Sequence, residues 1–118
     1  MEKTIYYLSS CDTCKRILKE LSPLDGVRLQ DIKVEPVTAS QLDALQRLAG
    51  SYEALFSKRA RLYKERKLNE KVLSEDELRG LLLEHYTFLK RPVILLGDQL
   101  FIGNSPKVVS DAKETLHP

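Results

Sequence analysis

The sequence predicts an α/β fold in the order βαβ, helical block, ββα. Three observations point to it. A β-branched and aromatic run opens the chain, capping boxes with leucines at helical spacing fill the middle, and two short apolar runs flank Gly97-Asp98 near the end. The first run, KTIYYL at Lys3 to Leu8, reads as a buried strand. Cys14, Ile17, Leu18 and Leu21 then recur at i, i+3, i+4 and i+7, the spacing of an amphipathic helix. SPLDG at Ser22 to Gly26 stops that helix and turns the chain. VRLQDI at Val27 to Ile32 alternates and predicts a second strand. Strand, crossover helix and strand imply parallel pairing with a right-handed connection.

The middle region, positions 38 to 87, is predicted to be wholly helical and inserted between the two halves. Thr38 with Gln41 forms a capping box ahead of Leu42, Leu45 and Leu48. YEALF after Gly50 and Ser51 suggests a short helix. SKRARLYKERK, the most basic segment, follows; a solvated helix face explains it, and a partner or nucleic acid is the alternative. Ser74 with Glu77 opens another helix, carrying Leu78, Leu81 and Leu82 on one face. Val93 to Leu96 and Gln99 to Ile102 should pair as a hairpin through Gly97-Asp98. Ser105 as cap and Pro106 in the first turn begin the last helix, with Val108, Ala112 and Leu116 inward.

The 118 residues fit one domain, and 42% apolar with 31% charged residues is ordinary for a globular chain. A net charge of +2 does not by itself argue for nucleic acid. No apolar run approaches the roughly 20 residues that cross a bilayer, so no membrane association is expected. MEKTIYYLSS lacks the pattern of a secretory signal, and a cytoplasmic address is the expectation. Thiols are kept reduced there, so a cysteine pair would serve transient chemistry rather than a staple.

Both cysteines, Cys11 and Cys14, stand in YLSSCDTCKR. Zinc needs about four ligands, and besides the cysteines only His85 and His117 are available; no metal site is expected. Cys14 lies on the apolar stripe and would suit a core. Cys11 falls in the strand-to-helix turn, where N–H groups stabilise a thiolate, and Lys15 and Arg16 add positive potential. C-x-x-C inside a βαβ unit is a redox arrangement. Arg91-Pro92-Val93 opens the third strand. A proline is tolerated at the first position of a strand; in a thioredoxin-type fold a cis-proline at that place faces the cysteine loop. With the βαβ–ββα order, the thioredoxin-like reading is preferred.

CDTCKRIL, SKRARLYKERKL and HYTFLKRPVILLGDQLFIGNSPKVV, in this order, carry a resemblance over nearly the whole chain. The chain resembles the thioredoxin-fold arsenate reductase (ArsC) group, which includes the Spx-type transcriptional regulators. The resemblance implies Cys11 as nucleophile, Cys14 as resolving thiol, Pro92 as the cis-proline, and Arg91 and Arg59 as oxyanion-binding residues. Lys58 or Arg61 could take the place of Arg59 with a small shift. It implies no bound cofactor and an electron donor such as glutathione, a glutaredoxin or a thioredoxin. The implied substrate is a small oxyanion or a thiol compound, and a monomer with a redox partner protein is expected. The alternative is a redox-sensing regulator that binds the RNA polymerase α-subunit. Two departures from the glutaredoxin-dependent reductases stand out. Tyr7-Leu8-Ser9-Ser10 replaces their His-Asn-Pro-x, and Gly103-Asn104 stands where their third arginine follows the last strand. An arsenate pocket favours several forked guanidinium donors, and losing one costs on the order of 1.5–3 kcal/mol. Such losses bear on arsenate more than on thiol chemistry.

Overall fold

The structure, a computed structural model, describes residues 2–118 as two compact units. The first runs to Glu35 and resumes at Arg91–Pro118; the second is Pro36–Lys90.

In the first unit, strands β1 (Lys3–Tyr7), β2 (Arg28–Asp31), β3 (Val93–Leu96) and β4 (Gln99–Ile102) form one sheet in the order β2-β1-β3-β4. β1 pairs parallel with β2 and antiparallel with β3, and β3 pairs antiparallel with β4. The expected βαβ and ββα halves are both present, joined through the β1–β3 ladder. Gly97 turns the β3–β4 hairpin at φ +67°, a conformation that L side chains rarely adopt. Ile5, Ile94 and Phe101 are cross-strand partners and so share one face. Against it pack Ile17 and Leu21 of helix α1 (Asp12–Leu21) and Val109 and Ala112 of helix α5 (Pro106–Leu116). A one-residue slip of register would turn every one of these strand side chains to the other face, so this apolar layer fixes the alignment.

Several boundaries differ from the predicted ones. β1 ends at Tyr7, and Leu8, though buried, already belongs to the loop before α1. β2 is one residue shorter at each end: Val27 N–H is taken by the Leu24 carbonyl at 3.0 Å, and Ile32, just past the strand, still donates its N–H to the Tyr7 carbonyl of β1 at 2.9 Å. In α5, Val109 and Ala112 are the buried residues, whereas Val108 is half-buried. Ser105 caps the Val108 N–H at 3.2 Å and Pro106 stands in the first turn, both as expected.

In the second unit both capping boxes form. Thr38 opens α2 (Ala39–Ala49) and Ser74 opens α4 (Glu75–Glu84), each with reciprocal bonds to the third helical residue. The stretch between them is less regular than predicted. YEALF yields a single 3₁₀ turn at Glu53–Leu55, and the basic segment is helical only at α3 (Arg61–Glu65). Charged residues dominate that segment and supply no continuous apolar stripe to extend a helix. An isolated bridge pairs Phe56 with Leu89, flanked by bonds from Ser57 N–H to the Phe88 carbonyl and from Lys90 N–H to that of Leu55. The block is therefore not wholly helical. Asp43 links α2 to α4 by accepting from Arg79 Nε and Nη2 at 2.8 and 3.1 Å, and it also accepts the Tyr52 hydroxyl. Arg79 and then Tyr52 hold the Asp43 carboxyl down at about 2. Among the described residues no helix is long and apolar enough to cross a membrane.

Candidate active site

The loop Leu8–Cys11 leaves β1 and delivers Cys11 to the N-cap position of α1, with φ −96° and ψ 115°. Cys11 N–H donates to the Leu8 carbonyl at 3.0 Å, and the Cys11 carbonyl accepts from Lys15 N–H at 3.1 Å, the first helical bond. Cys11 is thus the last residue of extended geometry before the helix. Its sulfur is partly exposed and makes no capping hydrogen bond of standard geometry. Three residues on, Cys14 is fully buried on the α1 face that packs against the sheet. Both thiols are free.

The two sulfurs share one neighbourhood but are tuned in opposite directions. Burial pushes the Cys11 thiol up, yet the Cys14 N–H, the Cys14 thiol, the Thr13 N–H and the Arg91 charge together outweigh it. The net result lies below the usual thiol value. These donors favour the anion because N–H dipoles at a helix start point toward it. Cys14 goes the other way, to about 11. Burial is the largest cause; the negative charge and hydrogen bonding of Cys11 add to it, while the Leu8 N–H and Arg91 oppose it. A partly exposed, anion-prone sulfur therefore sits beside a buried one that keeps its proton.

Arg91 acts on this pair from the loop two residues ahead of β3. Its side chain is half-buried with Nε enclosed, and its charge favours the thiolate at both cysteines. The Arg91–Pro92 peptide bond is cis; Pro92 is buried and its carbonyl accepts from Gly103 N–H at 2.9 Å. Cys11, Cys14, Arg91 and Pro92 all belong to the first unit. The positive potential expected from Lys15 and Arg16 comes instead with Arg91, since both first-turn side chains point into solvent. Arg59 belongs to the second unit, exposed in the turn where its N–H donates to Ser57 Oγ at 3.3 Å. Its alternatives Lys58 and Arg61 are exposed as well, and Arg61 pairs with Glu65 at 3.4 Å.

Sequence reasoning missed Asp31. Its Oδ1 accepts from the Ser9 N–H at 3.4 Å, two residues before Cys11, and from Lys33 N–H at 3.2 Å. An acidic residue at a strand end carries no distinguishing signal in a single sequence.

Residues 6–112 match the ArsC family. The chain is 30% identical over 108 residues to the protein named Uncharacterized protein YusI of Bacillus subtilis strain 168, covering 87% of this chain and 91% of that one. An ArsC family related protein of Bacteroides fragilis superposes with a TM-score of 0.80 at 24% identity, over 95% of this chain and 98% of its own. That likeness speaks to the fold. An arsenate reductase of Vibrio cholerae superposes with a TM-score of 0.74 at 28% identity, again over 95% and 98% of the two chains. The sheet is the thioredoxin-like arrangement that the sequence predicts. With the match running through both cysteines and Arg91 and into the last helix, the chain belongs to the ArsC family.

Proposed function

We propose that the protein is a thiol–disulfide redox protein of arsenate-reductase type, with Cys11 as nucleophile and Cys14 as resolving thiol. One observation carries this reading: thiols three residues apart whose acidities are pulled in opposite directions at a helix start. With a disulfide substrate, the Cys11 thiolate attacks one sulfur, a mixed disulfide forms, and the other half leaves as a thiolate. Bonding of Cys11 removes its negative charge, and with it one of the causes that hold the Cys14 proton in place. Cys14 can then deprotonate and attack the Cys11 sulfur. The second half leaves, and the Cys11–Cys14 disulfide has supplied two electrons to the substrate. With arsenate, Cys11 replaces one oxygen on arsenic, which departs as water. A thiol attacking the Cys11 sulfur then breaks the S–As bond, its electron pair remains on arsenic, and arsenite leaves.

Arg91 would hold the oxyanion or a glutathione carboxylate through its forked donors. Glutathione, a glutaredoxin or a thioredoxin would return the disulfide to the dithiol, which suits a cytoplasmic setting. Turnover of arsenate and of a small disulfide, each with glutathione plus glutaredoxin or with thioredoxin, tests the reading. No turnover of either substrate, combined with capture of the RNA polymerase α-subunit, would transfer the protein to the regulator class.

Brief iodoacetamide treatment at neutral pH followed by mass-spectrometric mapping should label Cys11 well ahead of Cys14. Equal labelling would sink the division of roles. Arg91→Lys keeps the charge but loses the planar fork, so KM for an anionic substrate should rise about tenfold while a neutral disulfide is little affected. Unchanged KM for the anion would remove Arg91 from oxyanion binding.

A further inference from the structure

We propose that Asp31 is a positioning residue for the Cys11 thiolate, holding the Leu8–Cys11 loop in place through Ser9. The inference rests on the thiol redox reading of Cys11. β1 and β2 stay paired to their last residues: Tyr7 faces Asp31 in the register, and the Tyr7 carbonyl accepts from Ile32 N–H at 2.9 Å. Beyond that pair the two chains part, β1 into the cysteine loop and β2 into the turn at Lys33.

The Asp31 carboxylate spans the fork. It accepts the Lys33 N–H, a local turn bond, and the Ser9 N–H, which lies 22 residues away in sequence. The Ser9 hydroxyl bonds to it too, and is the leading cause holding the Asp31 carboxyl below its usual range.

Ser9 is a critical place for a tether. Leu8 before it is buried, and uses its carbonyl on Cys11 N–H and its N–H on the Cys14 sulfur. Ser9 and Ser10 are both exposed and place no apolar group in the core. Exposed loop residues without apolar anchors open easily, so polar bonds decide how long the loop keeps one shape. If the loop drifts, Cys11 loses its alignment with the Thr13 and Cys14 N–H groups.

Charge and tether act on Cys11 in opposite senses, which makes the idea testable. As an anion, Asp31 repels a thiolate by simple Coulomb repulsion, so removing only its charge should make Cys11 more reactive, not less. Removing the acceptor should do the reverse. The experiment is the pH profile of Cys11 alkylation by iodoacetamide in the full reduced chain, for wild type, Asp31→Asn, Asp31→Ala and Asp31→Leu. Asp31→Asn keeps an oxygen for Ser9, and its profile should stay in place or move to lower pH. Asp31→Ala should shift the profile upward and slow alkylation at neutral pH by about threefold, following the dependence of thiolate fraction on pKa. An Asp31→Ala rate equal to or faster than wild type overturns the proposal, as does an Asp31→Asn rate as slow as that of Asp31→Ala. Should Asp31→Ala fail to fold by circular dichroism, Asp31→Leu, which fills similar space without an acceptor, decides: slower alkylation supports the tether and an unchanged rate overturns it. Wild-type labelling of Cys11 no faster than Cys14 would instead defeat the redox reading itself, so the two failures are distinct.

Discussion

Cys11→Ser should abolish turnover of both disulfide and arsenate, by at least about a thousandfold, while Cys14→Ser should stop after the first step. A serine hydroxyl is far less acidic than a thiol, and the donors that favour a Cys11 thiolate cannot ionise it at neutral pH. No covalent adduct should form on that variant. With serine at position 14, Cys11 keeps the helix-start N–H groups and the Arg91 charge, but loses the Cys14 thiol as a hydrogen-bond donor unless the hydroxyl takes its place. A substrate disulfide mixed with this variant, with no other thiol present, should leave a stable mixed disulfide on Cys11. Intact-protein mass spectrometry reads that adduct directly. A wild-type chain that holds the same stable mixed disulfide under these conditions would show that Cys14 resolves nothing, and adduct formation on Cys11→Ser would place the nucleophile elsewhere.

The largest expected stability effect comes from Phe88→Ala, at about 3–5 kcal/mol. Phe88 is fully buried and stacks on Phe56 with ring centroids 5.3 Å apart and 13° between planes. Tyr63 meets Phe56 edge-on at 5.8 Å, and the Arg66 guanidinium lies 5.7 Å from the Phe88 ring. Truncation removes the buried ring, empties one side of the stack and leaves a cavity that a rigid surround closes only in part. The ring pair adds about 0.5–1.5 kcal/mol beyond its buried area. Against a typical net stability of about 5–15 kcal/mol, such a loss should lower both the melting temperature and the urea midpoint clearly. Phe88→Leu keeps most of the volume and should cost less. A loss below about 1 kcal/mol in Phe88→Ala would mean that the aromatic stack is not a core of the second unit.

Much of this could be read from local pattern, because the relevant physics is local. The α1 stripe, both capping boxes and the β3–β4 hairpin each depend on residues a few positions apart, and each forms where the pattern places it. Cys11 as the exposed and Cys14 as the buried member of the pair follows from their positions at the start of one helix. The basic segment was less legible, since charged side chains give no periodic signal for where a short helix begins or ends.

By itself, then, the sequence determined the order of elements, the βαβ–ββα frame and the cysteine pair at a helix start. Only the tertiary structure decided which cation acts on that pair. Lys15 and Arg16, adjacent in sequence, project into solvent, whereas Arg91 comes from the loop ahead of β3, far along the chain. It likewise decided that Asp31 meets Ser9, because that contact exists only once β1 and β2 lie side by side. Periodicity records which face of an element is buried. Which charged or hydrogen-bonding group arrives at a given sulfur depends on sheet order and register, and these are set by the packing of the whole apolar layer.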